Sequence, residues 1–106
     1  MSNINTVLEG KNKGSKITGG TVLYANEWLS KYTVASYQII DETNKDQYSF
    51  WKGALGVALL GNIGAVVGIG GKNKKEYLIE IKWKNGDKSL IFIDENYYKI
   101  FIKSMF

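Results

Sequence analysis

The sequence predicts an α+β domain, a small antiparallel sheet closed by a C-terminal helix. Three observations carry this. Two apolar runs, residues 77–83 and 88–94, flank Asn85-Gly86, a strong short-range hairpin signal. Residues 21–25 and 32–41 are rich in β-branched and aromatic side chains and read as further strands. After Asp94 the apolar period lengthens to that of a helix.

Each element can be justified in turn. Residues 10–20 (GKNKGSKITGG) are polar, basic and glycine-rich, and read as a loop or as a basic arm for an anionic partner. Asn26, Glu27, Trp28 and Leu29 then form a turn or helical corner between the first two strands. Residues 41–47 are a polar turn. For the hairpin, a two-residue type I′ loop pairs Lys84 with Asp87, Trp83 with Lys88, Ile81 with Leu90 and Ile79 with Phe92. That register gives one core face of Ile79, Ile81, Trp83, Leu90 and Phe92. The opposite face carries Lys84, Asp87, Lys82, Ser89 and Glu80, with Leu78, Ile91 and Ile93 further up. Asp94 is the expected N-cap, and Glu95 complements the helix dipole. Tyr98, Phe101, Ile102 and Met105 follow at helical spacing, so residues 95–105 read as a helix packed on the sheet. The element order resembles small PH-like or GRAM-like barrels, which end in a helix across one opening. That resemblance implies a partial barrel and carries no function.

Composition excludes several chemistries. The chain has 106 residues and a formal net charge of +4, the size of one domain spanning residues 1–106. Residues 1–20 are expected to be partly flexible. It has no Cys, no His and no Pro. Disulfides, thiol nucleophiles, Cys/His zinc sites and His-based triads are therefore absent. All 14 basic residues are Lys, so the planar fork that reads guanine edges and clamps phosphate is missing. Sequence-specific DNA binding is not expected. Residues 1–9 lack the apolar stretch of a signal peptide, and a cytoplasmic location is expected. Asp41-Glu42 and Asp94-Glu95 fall at element ends and point to opposite faces, so neither forms a shared-proton dyad. No catalytic residue, metal ligand or cofactor is expected.

Residues 53–71 (GALGVALLGNIGAVVGIGG) carry no charge and admit three readings. As a helix they rise about 28 Å, near the hydrocarbon thickness of a membrane. Asn62 at the middle and expected strands of one sheet on both sides oppose a span, and a re-entrant or membrane-lying hairpin fits better. As two short helices turning at Gly61-Asn62, they need a packing partner, because each interior Gly costs about 1 kcal/mol relative to Ala. Gly56, Gly61, Gly64 and Gly68 would then form a contact in a homo-oligomer. As a ligand cradle, backbone N–H groups bind an anion, with Lys72, Lys74 and Lys75 at the edge. The P-loop pattern fails because Asn73 follows Lys72. Tyr48 or Trp51 with Lys52 could stack a base. These six residues are the candidate site for a small phosphorylated ligand.

The Gly/Ala run, the following GKNKKEYLIEIKWKNG and the closing YYKIFIKSMF together resemble small phage and prophage proteins of low-GC Gram-positive bacteria. The resemblance covers roughly residues 18–106 and carries no transferable site motif. It implies an accessory role against host defence: sequestering a nucleotide signal, or blocking a host defence protein through the glycine-rich hairpin. A membrane-associated glycine-zipper protein is the third alternative.

Overall fold

The computed structural model describes residues 4–40 and 76–106. The described chain is α+β, with two antiparallel sheets and one C-terminal helix. The strands are β1 (Thr6–Gly10), β2 (Thr18–Gly19), β3 (Leu23–Tyr24), β4 (Trp28–Leu29), β5 (Val34–Ile40), β6 (Glu76–Trp83) and β7 (Lys88–Asp94). Helix α1 spans Glu95–Ser104. The larger sheet has the order β1-β7-β6-β5 and the smaller β2-β3-β4. Residues 41–75, with the glycine-rich segment and its three readings, lie outside the described residues.

The β6–β7 hairpin forms, but its register differs from the expected one by a residue. Ile79 pairs with Ile91, Ile81 with Ser89 and Lys82 with Lys88. The Trp83 amide donates to the Asp87 carbonyl at 2.8 Å, and the Gly86 amide donates to the Trp83 carbonyl at 2.9 Å. The loop is therefore Lys84-Asn85-Gly86, a turn closed by a left-handed glycine. Gly86 sits at φ 97, whereas Asn85 stays out of the left-handed region. Instead its Oδ1 accepts from the Asp87 amide at 2.9 Å. A type I′ turn would require both central residues in the left-handed region, and here the asparagine bonds its own backbone instead.

The shift by one exchanges the faces of β7. Ile91 and Ile93 join Ile79, Ile81 and Trp83 in the main core with Phe101 of α1. Leu90 and Phe92, expected in that core, cluster with Leu78 and Ile40 on the other face, where Ile4 and Leu8 pack against them. All seven isoleucine, leucine and phenylalanine positions from Leu78 through Ile93 are buried. Strand β7 thus lies between β1 and β6 with apolar side chains buried on both faces, which explains its unbroken Leu90–Ile93 run.

The one buried polar residue of the described core is Ser89. Its Oγ accepts the Trp83 indole N–H at 2.7 Å and donates to the Lys11 carbonyl at 2.7 Å. In the observed register Ser89 lies diagonally from Trp83 on one face. In the expected register it would face away and leave the indole N–H without this partner.

Thr6–Gly10 carried no strand expectation, yet it is the edge strand paired with β7. The chain then folds back over it: the Val7 amide donates to Ser15, the Gly14 amide to Val7 and the Ile17 amide to Asn5. Asn5, at φ 58, holds the start of this strand against the start of the helix. Its Nδ2 donates to Asp94 Oδ2 at 3.1 Å, and the Asp94 amide donates to its Oδ1 at 3.0 Å. Asp94 caps α1 as expected, accepting from the Tyr97 amide at 2.9 Å. The helix buries Phe101 fully, edge-on to Tyr37 at 5.1 Å. Tyr98 stacks on Tyr77 of β6 at 3.8 Å.

Two predictions follow from this packing. Ser89→Ala leaves the Trp83 N–H and the Lys11 carbonyl without their partner and should cost about 1–3 kcal/mol in urea unfolding. An unchanged midpoint would remove the serine from its bridging role. Burial raises both phenol pKa values, with Glu95 adding to the shift at Tyr77 and with Tyr77 and then Tyr37 adding at Tyr98. The folded state therefore holds these protons more tightly than the unfolded chain. That stability is fully present below the ordinary value of 10.0 and is lost as pH rises above it. Tyr77→Phe should flatten the alkaline fall of the melting temperature.

Candidate functional site

The small sheet sorts its side chains by alternation. Leu23 pairs with Leu29, and Tyr24 pairs with Trp28. Both leucines are fully buried in the main core. Their neighbours therefore point the other way, so Tyr24 is 40% exposed and Trp28 is 58% exposed. The two rings meet edge to face at 4.8 Å across the strand pair. Tyr32, from the loop before β5, is 74% exposed and joins them at a groove of about 820 Å³. Gly19, Gly20, Thr18 and Thr21 form another wall, and Val22, Ser30 and Thr33 complete the lining.

This platform is held from beneath and from both ends. Thr33 Oγ1 donates to the Trp28 carbonyl at 2.7 Å and accepts from the Ser30 amide at 3.1 Å. Ser30 Oγ accepts from the Tyr32 amide at 3.2 Å, fixing the loop that carries the third ring. The Lys31 amide donates to the Ser104 carbonyl at the end of α1, and Ser104 Oγ reaches the Thr21 carbonyl at 3.3 Å. Gly19 is required by close approach: a Cβ there would stand 2.3 Å from the Val22 carbonyl oxygen. A Cβ at Gly20 would meet nothing within 4 Å. The expected turn or helical corner at residues 26–29 is thus a hairpin instead. Asn26, at φ 68, makes the reversal, and Trp28 and Leu29 form a strand.

The reversal is anchored to the basic loop. Lys11 Nζ lies 2.8 Å from Glu27 Oε2 and 3.8 Å from Asp87 Oδ2, and 5.1 Å from the centre of the Trp83 ring. Asn12 Nδ2 donates to Glu27 at 2.9 Å, and Asn26 Nδ2 donates to Asn12 Oδ1 at 3.1 Å. Lys13 pairs with Glu9 at 3.3 Å. Two lysines of the 10–20 segment therefore neutralise carboxylates of this chain. The hydrogen bonds from Lys11 and then Asn12 hold the Glu27 carboxyl below its ordinary value of 4.5.

The six residues of the candidate ligand site lie outside the described residues: Tyr48, Trp51, Lys52, Lys72, Lys74 and Lys75. The same is true of the candidate oligomer contacts Gly56, Gly61, Gly64 and Gly68. The groove joins other residues. The sequence places Trp28 in a turn or helical corner and Tyr32 in a strand. Their sole sequence signal is the alternation Leu23-Tyr24 and Trp28-Leu29, which turns aromatics outward once the leucines are buried. Among the described residues, no cluster of His, Cys, Asp and Glu could hold a metal ion. No helix among them is long and apolar enough to cross a membrane. Compared with protein-family models, curated proteins and solved structures, the chain finds no match.

The Glu27 contact sets an acid dependence. Its lowered pKa makes its contribution present above pH 4.5 and lost as pH falls through the folded value. The carboxylate is partly exposed, so solvent screening limits the effect to at most about 1 kcal/mol. The difference in melting temperature between the parent chain and Glu27→Gln should be largest near neutrality and vanish in acid. An equal difference at all pH values would contradict the ion pair.

Proposed function

We propose that this chain is a non-catalytic binding protein that holds a small ligand in the groove of Tyr24, Trp28 and Tyr32. One observation carries the reading: three exposed aromatic rings converge on a concave site within the size range of small-molecule pockets, about 300–1,000 Å³. Large aromatics left in water lower solubility and stability unless something covers them. Here the rings stand on backbone fixed by buried leucines and serine/threonine hydrogen bonds, so binding need not order them.

We further propose that the protein is a phage-type accessory protein that works in the host cytoplasm as a homo-oligomer and counters host defence. The resemblance of its glycine-rich and C-terminal segments supports that part. Sequestration of a nucleotide through Tyr48, Trp51, Lys52 and the Lys72, Lys74 and Lys75 edge would be a second binding event on separate residues. The strand-then-helix order of the described elements supports a partial barrel of the PH or GRAM kind.

Native mass spectrometry of the chain mixed with bacterial metabolite extract tests the groove. An adduct of defined mass is expected, and Trp28→Ala should abolish it without moving the melting temperature by more than about 2 °C, since an exposed side chain contributes little to stability. An adduct that survives Trp28→Ala, or none at all, would refute the groove as the site.

A further inference from the structure

We propose that the groove takes an uncharged saccharide. This rests on the reading of the groove as a ligand site. The described lining decides against charge: Thr18, Gly20, Thr21, Tyr24, Trp28 and Tyr32 carry none, and no other described lining residue does. An anion seated here would lose its hydration without gaining a counter-charge, which is costly. Lys31, which lies between the lining residues Ser30 and Tyr32 in the chain, has its Nζ 3.1 Å from the Phe106 carbonyl oxygen and 5.4 Å from the Tyr32 ring centre. It is thus already directed to the chain's own C-terminal segment.

The same wall decides against a purely apolar ligand. The Trp28 indole N–H, the Tyr24 and Tyr32 hydroxyls and the Thr18 and Thr21 hydroxyls make no hydrogen bond to another described residue. The lining thus combines mainly apolar ring faces with an indole N–H that donates and hydroxyls that both donate and accept. A pyranose has this complement: C–H faces that lie on aromatic rings and equatorial hydroxyls at its rim that exchange hydrogen bonds in both directions. A flat protein partner would use the rings differently, closing over them and excluding water from a broad surface. The concave volume and the bare Gly20 wall favour a ligand that enters between the rings and the glycines.

Gly20 supplies a test that does not disturb the fold. A side chain there meets open space, so Gly20→Leu should fold normally and obstruct the groove. The experiment follows the Trp28 indole N–H signal in ¹⁵N-labelled protein. The probes are neutral trisaccharides of β-1,4-linked glucose, α-1,4-linked glucose and β-1,4-linked N-acetylglucosamine, with adenosine and adenosine monophosphate alongside. A saturable shift with at least one trisaccharide is expected. Gly20→Leu and Trp28→Ala (the latter read by ligand-observed signals) should weaken binding by about tenfold or more, equivalent to about 1.4 kcal/mol. Lys31→Gln should leave it unchanged.

Inert trisaccharides with a Gly20-sensitive response to adenosine or its monophosphate would overturn the saccharide assignment and leave the groove as a ligand site. Loss of saccharide binding in Lys31→Gln would also overturn it, because charge would then be part of recognition. No response to any probe, together with no adduct from extract, would overturn both the assignment and the groove.

Discussion

The structure depends on one buried hydrogen-bond relay, from the Trp83 indole through Ser89 Oγ to the Lys11 carbonyl, each step 2.7 Å long. It joins β6, β7 and the loop after β1 at a single fully buried hydroxyl. A buried polar group in this setting tolerates few alternatives, because an unmade bond costs more than a made one contributes. The relay therefore specifies the register of the hairpin. It also fixes where Lys11 begins, and with it the direction of the Lys11 side chain toward Glu27.

From that point the small sheet is positioned. Lys11 and Asn12 hold the carboxylate of Glu27, which sits in the reversal between β3 and β4. Leu23 and Leu29 bury themselves against the main core, and the end of α1 holds the loop at Lys31. With the inner face of this two-strand hairpin pinned, Tyr24 and Trp28 have only the outer face. The groove is a consequence of strand alternation on a hairpin too short to turn away from its core.

Part of this was legible in the residues. Asn85-Gly86 between apolar runs announced the hairpin, and Asp94 before a helical spacing announced the cap. The register was not legible, because Leu90-Ile91-Phe92-Ile93 is apolar throughout and alternation cannot orient such a run. The faces of β6 could be read from Glu80 and Lys82, and Ile79, Ile81 and Trp83 do share the core. Strand β1 was obscured by its polar, glycine-rich continuation. Its edge is completed by residues 15–17 of the same chain, a contact that local pattern does not encode. The groove is not legible because its three rings come from two strands and a loop, whereas the local pattern reads Tyr24 and Tyr32 in strands and Trp28 in a turn or helical corner.

The sequence by itself determined the α+β class, the two strands of the C-terminal hairpin and the place of their reversal, the capped helix after them and the absence of cysteine and histidine chemistry. These follow from local preferences: which residues accept a turn, cap a helix or lack a reactive group. Only the tertiary structure decided which face of β7 meets the helix, that Trp28 stands in water while Leu29 does not, and that Lys11 serves Glu27. Each of those is a choice between locally equivalent arrangements. Such choices are settled by the few long-range contacts, Ser89 with Trp83 and Asn5 with Asp94 among them, that only one arrangement can satisfy.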